Sequence, residues 1–243
     1  MLAKYLKTQG KLIDKALDQF LPKAKQPSAL LNEAVRYSVF SGGKRIRPIL
    51  TLALSDMLGG SRERAVIPAC AIEMIHSSSL VHDDLPAMDN DDLRRGRPTC
   101  HKKYGEANAI LVGDSLLIEA FHVLSFYPNP KVVSRLVKVI AEASGGSGMV
   151  GGQASEKILE GQDINLPTLN LIHVNKTGKL FVASCLAGAL SAGASPSEEK
   201  RVRRFAEYIG FAFQIVDDIM DGDGFLKFMS ESEARKEAAL ITQ

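Results

Sequence analysis

Across 243 residues there are only three cysteines, Cys70, Cys100 and Cys185, far apart and odd in number. They form no CxxC pair, which argues against a zinc site and a disulfide framework and points to a reducing compartment. Charge of one sign is also lacking: Lys and Arg number 30 against 28 Asp and Glu, a net of +2. Nucleic acid is therefore not the expected partner, and charge must matter by placement rather than by total. Long apolar runs are missing too. The longest weakly polar stretch, Leu180 to Ala194 (LFVASCLAGALSAGA), is too short to span a bilayer and is rich in small residues. It predicts a buried, closely packed helix and no integral membrane segment. The opening MLAKYLKTQGKLIDKAL has no apolar core of a signal peptide, so a soluble cytoplasmic protein is expected.

Strand signals are scarce: no sustained alternation of period two, and no Asn-Gly or Asp-Gly between β-branched runs. Helical spacing is common instead. Ile67, Ala71, Met74, Ser78 and Val81 step by three and four, as do Val132, Leu136 and Val139, and again Phe205, Ile209, Phe213 and Val216. Breaks fall at Pro22 to Pro27, Ser41-Gly42-Gly43, Gly59-Gly60, Pro98, Pro128 to Pro130, Gly145 to Gly148, Gly161 to Pro167 and Ser195-Pro196, leaving segments of ordinary helix length. A hydrophobic content of 45% rules against disorder. The expectation is an all-α, single-domain helical bundle over residues 1–243.

Two segments break the bland pattern. HDDLPAMDNDDLRRGRP (His82 to Pro98) and DDIMD (Asp217 to Asp221) each follow an apolar helical run. Asp217 and Asp221, four apart, share a helix face with Asp218 beside them, and Gln214 lies near the same face. Like charges at that spacing repel, unless a cation neutralises them. Asp83 and Asp89 point apart on an ideal helix, but Pro86 demands a bulge or turn that can return Asp89 to Asp83. Carboxylates without His or Cys partners suit a hard cation such as Mg²⁺, which usually takes one or two carboxylates plus phosphate. Taken singly, either segment also fits a solvated charged face.

Basic groups cluster near these acids. SGGKRIRP supplies Lys44 and Arg47 at an expected turn-to-helix junction, with glycine N–H groups free to face an anion and Pro48 suited to a helix start. Arg94 and Arg95 follow the first acidic segment, and arginine suits bidentate diphosphate contacts. His76 lies two turns before Asp83 on the same face. Lys176 and Thr177 stand at a helix break in NKTGK. Each has an ordinary structural alternative: an interhelical turn, a satisfied core histidine, a capped loop. Together they describe a polyanion cage beside the wall of an apolar pocket.

In this combination the motifs resemble those of the trans-isoprenyl diphosphate synthases. SLVHDDLPAMDNDDLRRGRP and FQIVDDIMD are similar to that family's two aspartate-rich motifs, and SGGKRIRP, EMIH, Gly152-Gln153 and KTG match in order between about Leu30 and Asp221. The bacterial farnesyl diphosphate synthases (geranyltranstransferases) are the most similar members, followed by the geranylgeranyl synthases. The resemblance implies the isoprenoid synthase bundle, a homodimer, and Mg²⁺ held by Asp83, Asp84, Asp89, Asp217, Asp218 and Asp221. It implies that Arg94, Lys176, Thr177 and Gln214 hold an allylic diphosphate, while Lys44, Arg47, His76 and Arg95 hold isopentenyl diphosphate. Asp83, Asp84, Asp217, Arg94 and Lys176 would act directly in ionisation and condensation. Ser78 and Ser79 would set product length, a small Ser78 favouring C20 and the whole-chain likeness favouring C15, with Phe121 or His122 closing the pocket.

The sequence departs from the family after Asp221, where a polar loop with another lysine and several helices are usual. Here DDIMDGDGFLKFMSESEARKEAALITQ compresses the region, and Lys227 cannot be given the missing lysine's role. The stretch GQDINLPTLNLIHVNKTG also looks shortened. A break in the chain at Gly222 to Phe225 is the expectation. Three other readings remain: a class I terpene cyclase, whose second metal motif DDIMD does not fit; an HD-type phosphohydrolase, which needs more metal-binding histidines; and an inactive synthase-like partner subunit.

Overall fold

The computed structural model describes residues 1–241. Twelve α-helices are found among them, joined by one small hairpin, one π-turn and one 3₁₀ turn. In order they are α1 (Leu2–Phe20), α2 (Ala29–Val39), α3 (Ile46–Met57), α4 (Arg62–Asp83), α5 (Cys100–Tyr104) and α6 (Glu106–Leu124). Then come α7 (Pro130–Ser144), α8 (Met149–Leu159), α9 (Leu166–His173), α10 (Lys179–Ala192), α11 (Pro196–Asp221) and α12 (Glu231–Ile241). The π-turn, Val174–Gly178, joins α9 to α10, and the 3₁₀ turn, Gly224–Lys227, follows α11. The helix starts have local causes. Asn129 caps α7 by accepting the N–H of Lys131, with Pro130 next. Ser195 caps α11 in a reciprocal pair with Glu198, followed by Pro196.

Two central helices carry the core. α4 buries Ile67, Ala71, Met74, Ser78 and Val81, the face that the spacing predicts, and packs against α6 and α3. α10 is buried along almost its whole length and lies against α3, α11 and α7. Its small residues allow that closeness. A Cβ on Gly188 would fall 2.3 Å from the Thr51 carbonyl oxygen of α3, and the Thr51 hydroxyl donates to the Ser184 carbonyl at 2.9 Å. By length and composition α4 and α6 are apolar enough to cross a membrane, but most of α4 is buried inside the protein.

Two expectations need correction. The phase of α11 is not the one read from Phe205 and Val216, which are exposed; Val202, Ala206, Gly210 and Ile215 face inward. A short strand pair exists: Leu93–Arg94 pairs antiparallel with Arg97–Pro98, turning through Arg95 and Gly96, both at positive φ. The RRGR turn carries none of the usual hairpin dipeptides. After α11 the chain turns through Gly222 into the 3₁₀ turn, where the Phe225 N–H donates to the Asp218 carboxylate at 2.9 Å. Phe225 is buried there among Leu169, Ile215, Ala234 and Ala238, so α12 is tied back onto α9 and α11.

Gly188→Ala is expected to destabilise the protein by about 1–3 kcal/mol, because the new methyl meets backbone that cannot rotate away. The midpoint of urea unfolding measures it.

Candidate active site

A cavity of about 1250 Å³ opens between α3, α4, α6, α8 and α11. Its lining is of two kinds. Ile75, Leu117, Phe121, Met149 and Val150 form an apolar wall, and Lys44, Arg47, His76, Asp83, Arg94, Arg95, Lys176, Thr177 and Asp217 bring polar groups to the same space. Ser78 and Ser79 also line it. The Ser78 hydroxyl donates to the Gly113 carbonyl of α6 at 2.8 Å, and that of Ser79 to the His76 carbonyl at 2.9 Å. Phe121 lines the cavity, whereas His122 is exposed and paired with Glu119.

Asp83 ends α4, and the chain then turns sharply. The Asp89 N–H donates to the Asp83 carbonyl at 2.9 Å, so the turn at Pro86 does return Asp89 to the end of the helix. Burial lifts the pKa of Asp83 to about 6; Lys176 opposes the rise and Asp89 adds to it. Asp84 behaves differently. It is buried away from the cavity and accepts from Arg94 Nε at 2.6 Å, which orients that guanidinium. His82 turns to α6, with Nε2 3.2 Å from the Ile110 carbonyl, which removes support for the histidine-metal alternative.

The second acidic segment divides in the same way. Asp217 lines the cavity, its pKa raised by burial and then by Asp221 and Asp218. Asp221 is exposed beside it. Asp218, which the resemblance makes a metal ligand, points inward instead. Its carboxylate accepts from Gln214 Nε2 at 2.7 Å and from the Phe225 N–H at 2.9 Å. Gln214 is thereby engaged with Asp218 and does not line the cavity. A single helical step rotates a side chain by about 100°, so neighbours on a helix cannot share a target.

Cations face these acids from α3, the hairpin and the π-turn. Within SGGKRIRP the three basic residues separate by role. Arg45 is structural: its guanidinium donates to Glu73, Asp14 and the Val39 carbonyl. Arg47 points to the cavity over the Phe181 ring, and burial lowers its pKa to about 10. His76, 3.5 Å from Arg47, is held far below its ordinary pKa by burial and by the surrounding arginines, Arg47 first, so it is neutral at physiological pH. Arg95 donates to the Gly42 carbonyl, and its guanidinium fills the space over Gly43. Lys176 pairs with Glu156 of α8. Gly152 lets α8 approach the π-turn that carries Lys176, since a Cβ there would fall 2.3 Å from the Lys176 backbone nitrogen.

A polyprenyl synthetase family model matches residues 28–227. The chain belongs to the polyprenyl synthetase family. Among its relatives, it is 46% identical over 224 residues to a farnesyl diphosphate synthase of Geobacillus stearothermophilus, covering 90% of this chain and 75% of that one. It is 47% identical to the heterodimeric geranylgeranyl pyrophosphate synthase large subunit 1 of Arabidopsis thaliana, covering 89% of this chain and 60% of that one. The chain thus spans about 60% of the length of that plant protein. Its fold is similar to that of an FPP/GFPP synthase from Zymomonas mobilis, with a TM-score of 0.93 at 40% identity over 99% of this chain and 89% of the other. The all-α, isoprenoid-synthase-type bundle read from the sequence is therefore the fold of this family member.

Among the described residues, no three His, Cys, Asp or Glu side chains converge to hold a metal by themselves. The donor chemistry still fits Mg²⁺. Asp83 and Asp217 are oxygen donors with raised pKa values in one cavity, and such a cation usually completes its shell with water and phosphate. The sequence reading matched Gln153 to a family motif without giving it a role and missed Lys157; both line the cavity from α8. Their spacing of four puts them on one helix face, which was the available signal.

Because Asp83 binds its proton more tightly folded than unfolded, its ionisation subtracts stability as pH rises from about 4 to about 6. Asp83→Asn is expected to raise stability by about 1 kcal/mol at pH 7.5 in the presence of chelator, after allowance for solvent screening. The gain should vanish near pH 4. Thermal melts at the two pH values check this.

Proposed function

We propose that this family member is a trans-prenyltransferase, joining an allylic diphosphate to isopentenyl diphosphate, with farnesyl diphosphate as its product. The carrying observation is one cavity lined by two acidic helix ends, a set of cations and an apolar wall, which suits a polyanionic head with a hydrocarbon tail. The family is generally Mg²⁺-dependent. Asp83, Asp89, Asp217 and Asp221 would hold Mg²⁺, while Asp84 and Asp218 position Arg94 and the end of α11. When bound, the metal supplies electrostatic stabilisation to a departing diphosphate.

The chain's own groups do the rest. Arg94, Lys176 and Thr177 bind the allylic diphosphate, and the two cations stabilise the charge that develops as its C–O bond breaks. Lys44, Arg47, Arg95 and the neutral His76 bind isopentenyl diphosphate and keep its double bond near the allylic carbon. The apolar wall excludes water from the carbocation. The new carbon–carbon bond forms, and the departed diphosphate takes the proton. A homodimer is part of this reading, supported by the exposed apolar residues Ile110, Leu111, Leu117 and Ile118 on one side of α6. The buried, unpaired Cys70, Cys100 and Cys185 support a cytoplasmic location.

The first test is product analysis by mass spectrometry with dimethylallyl and isopentenyl diphosphates. We expect a prenyl diphosphate in Mg²⁺, none in excess chelator, and at least a hundredfold lower turnover for Asp217→Ala, on the scale of losing ~3 kcal/mol of charge stabilisation. Unchanged turnover in chelator would remove the metal from the reading.

Product length has two candidate answers. Phe121 as the floor supports C15, whereas the small Ser78 on the cavity lining and the geranylgeranyl names among the relatives support C20. Phe121→Ala is expected to lengthen the product, and Ser78→Phe to shorten it or leave it unchanged, since filling a pocket only removes room. Chromatography of the dephosphorylated products distinguishes them, and a longer product from Ser78→Phe defeats the assignment of the cavity to the growing chain.

A further inference from the structure

Lys157 belongs to none of the motifs that mark the two acidic segments, yet it reaches the first of them. It leaves α8 one turn after Gln153, and its side chain is only 25% exposed. An ammonium has three N–H donors, and each finds an acceptor here: Asp89 Oδ1 at 2.9 Å, the Met88 carbonyl at 3.1 Å and Glu160 Oε2 at 3.2 Å. The turn after α4 is thus fastened twice, by the Asp89 N–H to Asp83 and by the Asp89 carboxylate to Lys157.

The second fastening occupies a carboxylate that the proposed function gives to a divalent cation. An ammonium and a metal ion repel each other and compete for one carboxylate. Glu160 offers the ammonium a second place: it is already within bonding distance and its side chain is 69% exposed. We propose that Lys157 is an internal counter-ion for Asp89 that a divalent cation displaces toward Glu160, so that this residue sets the metal affinity of the first acidic segment. The inference rests on the reading of the two segments as a metal site. In the metal-free protein Lys157 keeps Asp89 at the end of α4. In the loaded protein it pairs with Glu160 at the edge of the cavity, a positioning residue rather than a ligand.

The test is titration with Mn²⁺, followed by electron paramagnetic resonance, with inorganic pyrophosphate present. Wild type, Lys157→Met, Glu160→Gln and the double variant are compared. Lys157→Met should bind Mn²⁺ about two- to fivefold more tightly, the scale of a partly exposed ion pair. Glu160→Gln should bind it more weakly, and this effect should disappear when Lys157 is already Met, because Glu160 acts through Lys157. Equal or weaker binding by Lys157→Met overturns the proposal. If that variant fails to fold, Glu160→Gln carries the test, and unchanged affinity overturns it. Absence of Mn²⁺ binding in all four proteins instead defeats the metal reading itself, and the counter-ion role with it.

Discussion

Asp83 ends an apolar helix at the edge of a cavity, and burial raises its pKa to about 6. Asp217 faces the same cavity from the last turn of α11, its pKa also raised by burial and then by Asp221 and Asp218. Each carboxylate lacks full hydration and is crowded by its own acidic neighbours, Asp89 and Asp84 for Asp83 and Asp221 and Asp218 for Asp217, which costs the folded state stability. Positive charge is the compensation, and the rest of the site can be understood as its supply. Some of it is permanent, on Arg94, Arg95, Arg47 and Lys176. Some is borrowed, on Lys157. The remainder fits a divalent cation arriving with phosphate. The local structure therefore costs stability that bound positive charge would offset.

A cavity edged by uncompensated charge needs a frame that does not yield. α10 supplies it by close contact, Gly188 against Thr51 on one side and Phe181 against Gly210 of α11 on another. At the edge of the cavity, Arg45 ties the buried Glu73, the half-exposed Asp14 and the Val39 carbonyl into one network. Breaking a buried pair of this kind usually costs several kcal/mol, because the partner left behind is a buried charge. Fixing Arg45 inward leaves Lys44 and Arg47, its neighbours, to face other directions.

How far the sequence disclosed this depends on whether the deciding contact is local. The apolar face of α4, the buried character of α10 and the return of Asp89 at Pro86 all follow from spacing within a few residues. Lys157 and Asp89 are on separate helical segments, so no local pattern announces their ion pair. The same holds for Asp218. In DDIMD it looks equivalent to Asp217, but a neighbour across the fold, the Phe225 N–H, claims its carboxylate. The GDG that looks like a compressed loop is what makes this possible. Gly222 and Gly224 both adopt positive φ, and a Cβ on Gly224 would collide with the Asp218 carboxylate at 1.9 Å. In α11 the apolar residues are too evenly spread to fix the phase, and packing on α10 selects small residues at Ala206 and Gly210 over Phe205.

The division of labour between paired aspartates follows from helix geometry rather than from chemistry. In both segments two adjacent carboxylates occur, and in both only the first lines the cavity. The second, turned by about 100°, anchors a piece of structure that must stay in register with the first. Asp84 anchors Arg94 and with it the hairpin that carries Arg95. Asp218 anchors Phe225 and the chain leaving α11. An isosteric amide at either second position keeps an oxygen acceptor and removes the charge. At Asp218 the two hydrogen-bond donors are a neutral side chain and a backbone N–H, and each can still bond to an amide oxygen; the third neighbour, the His173 ring 3.8 Å away, has its pKa lowered by burial. At Asp84 the partner is a guanidinium, and the loss of charge leaves Arg94 without its buried counter-ion. The two second aspartates are thus unequal in what they contribute: Asp218 mainly geometry, Asp84 geometry and charge together.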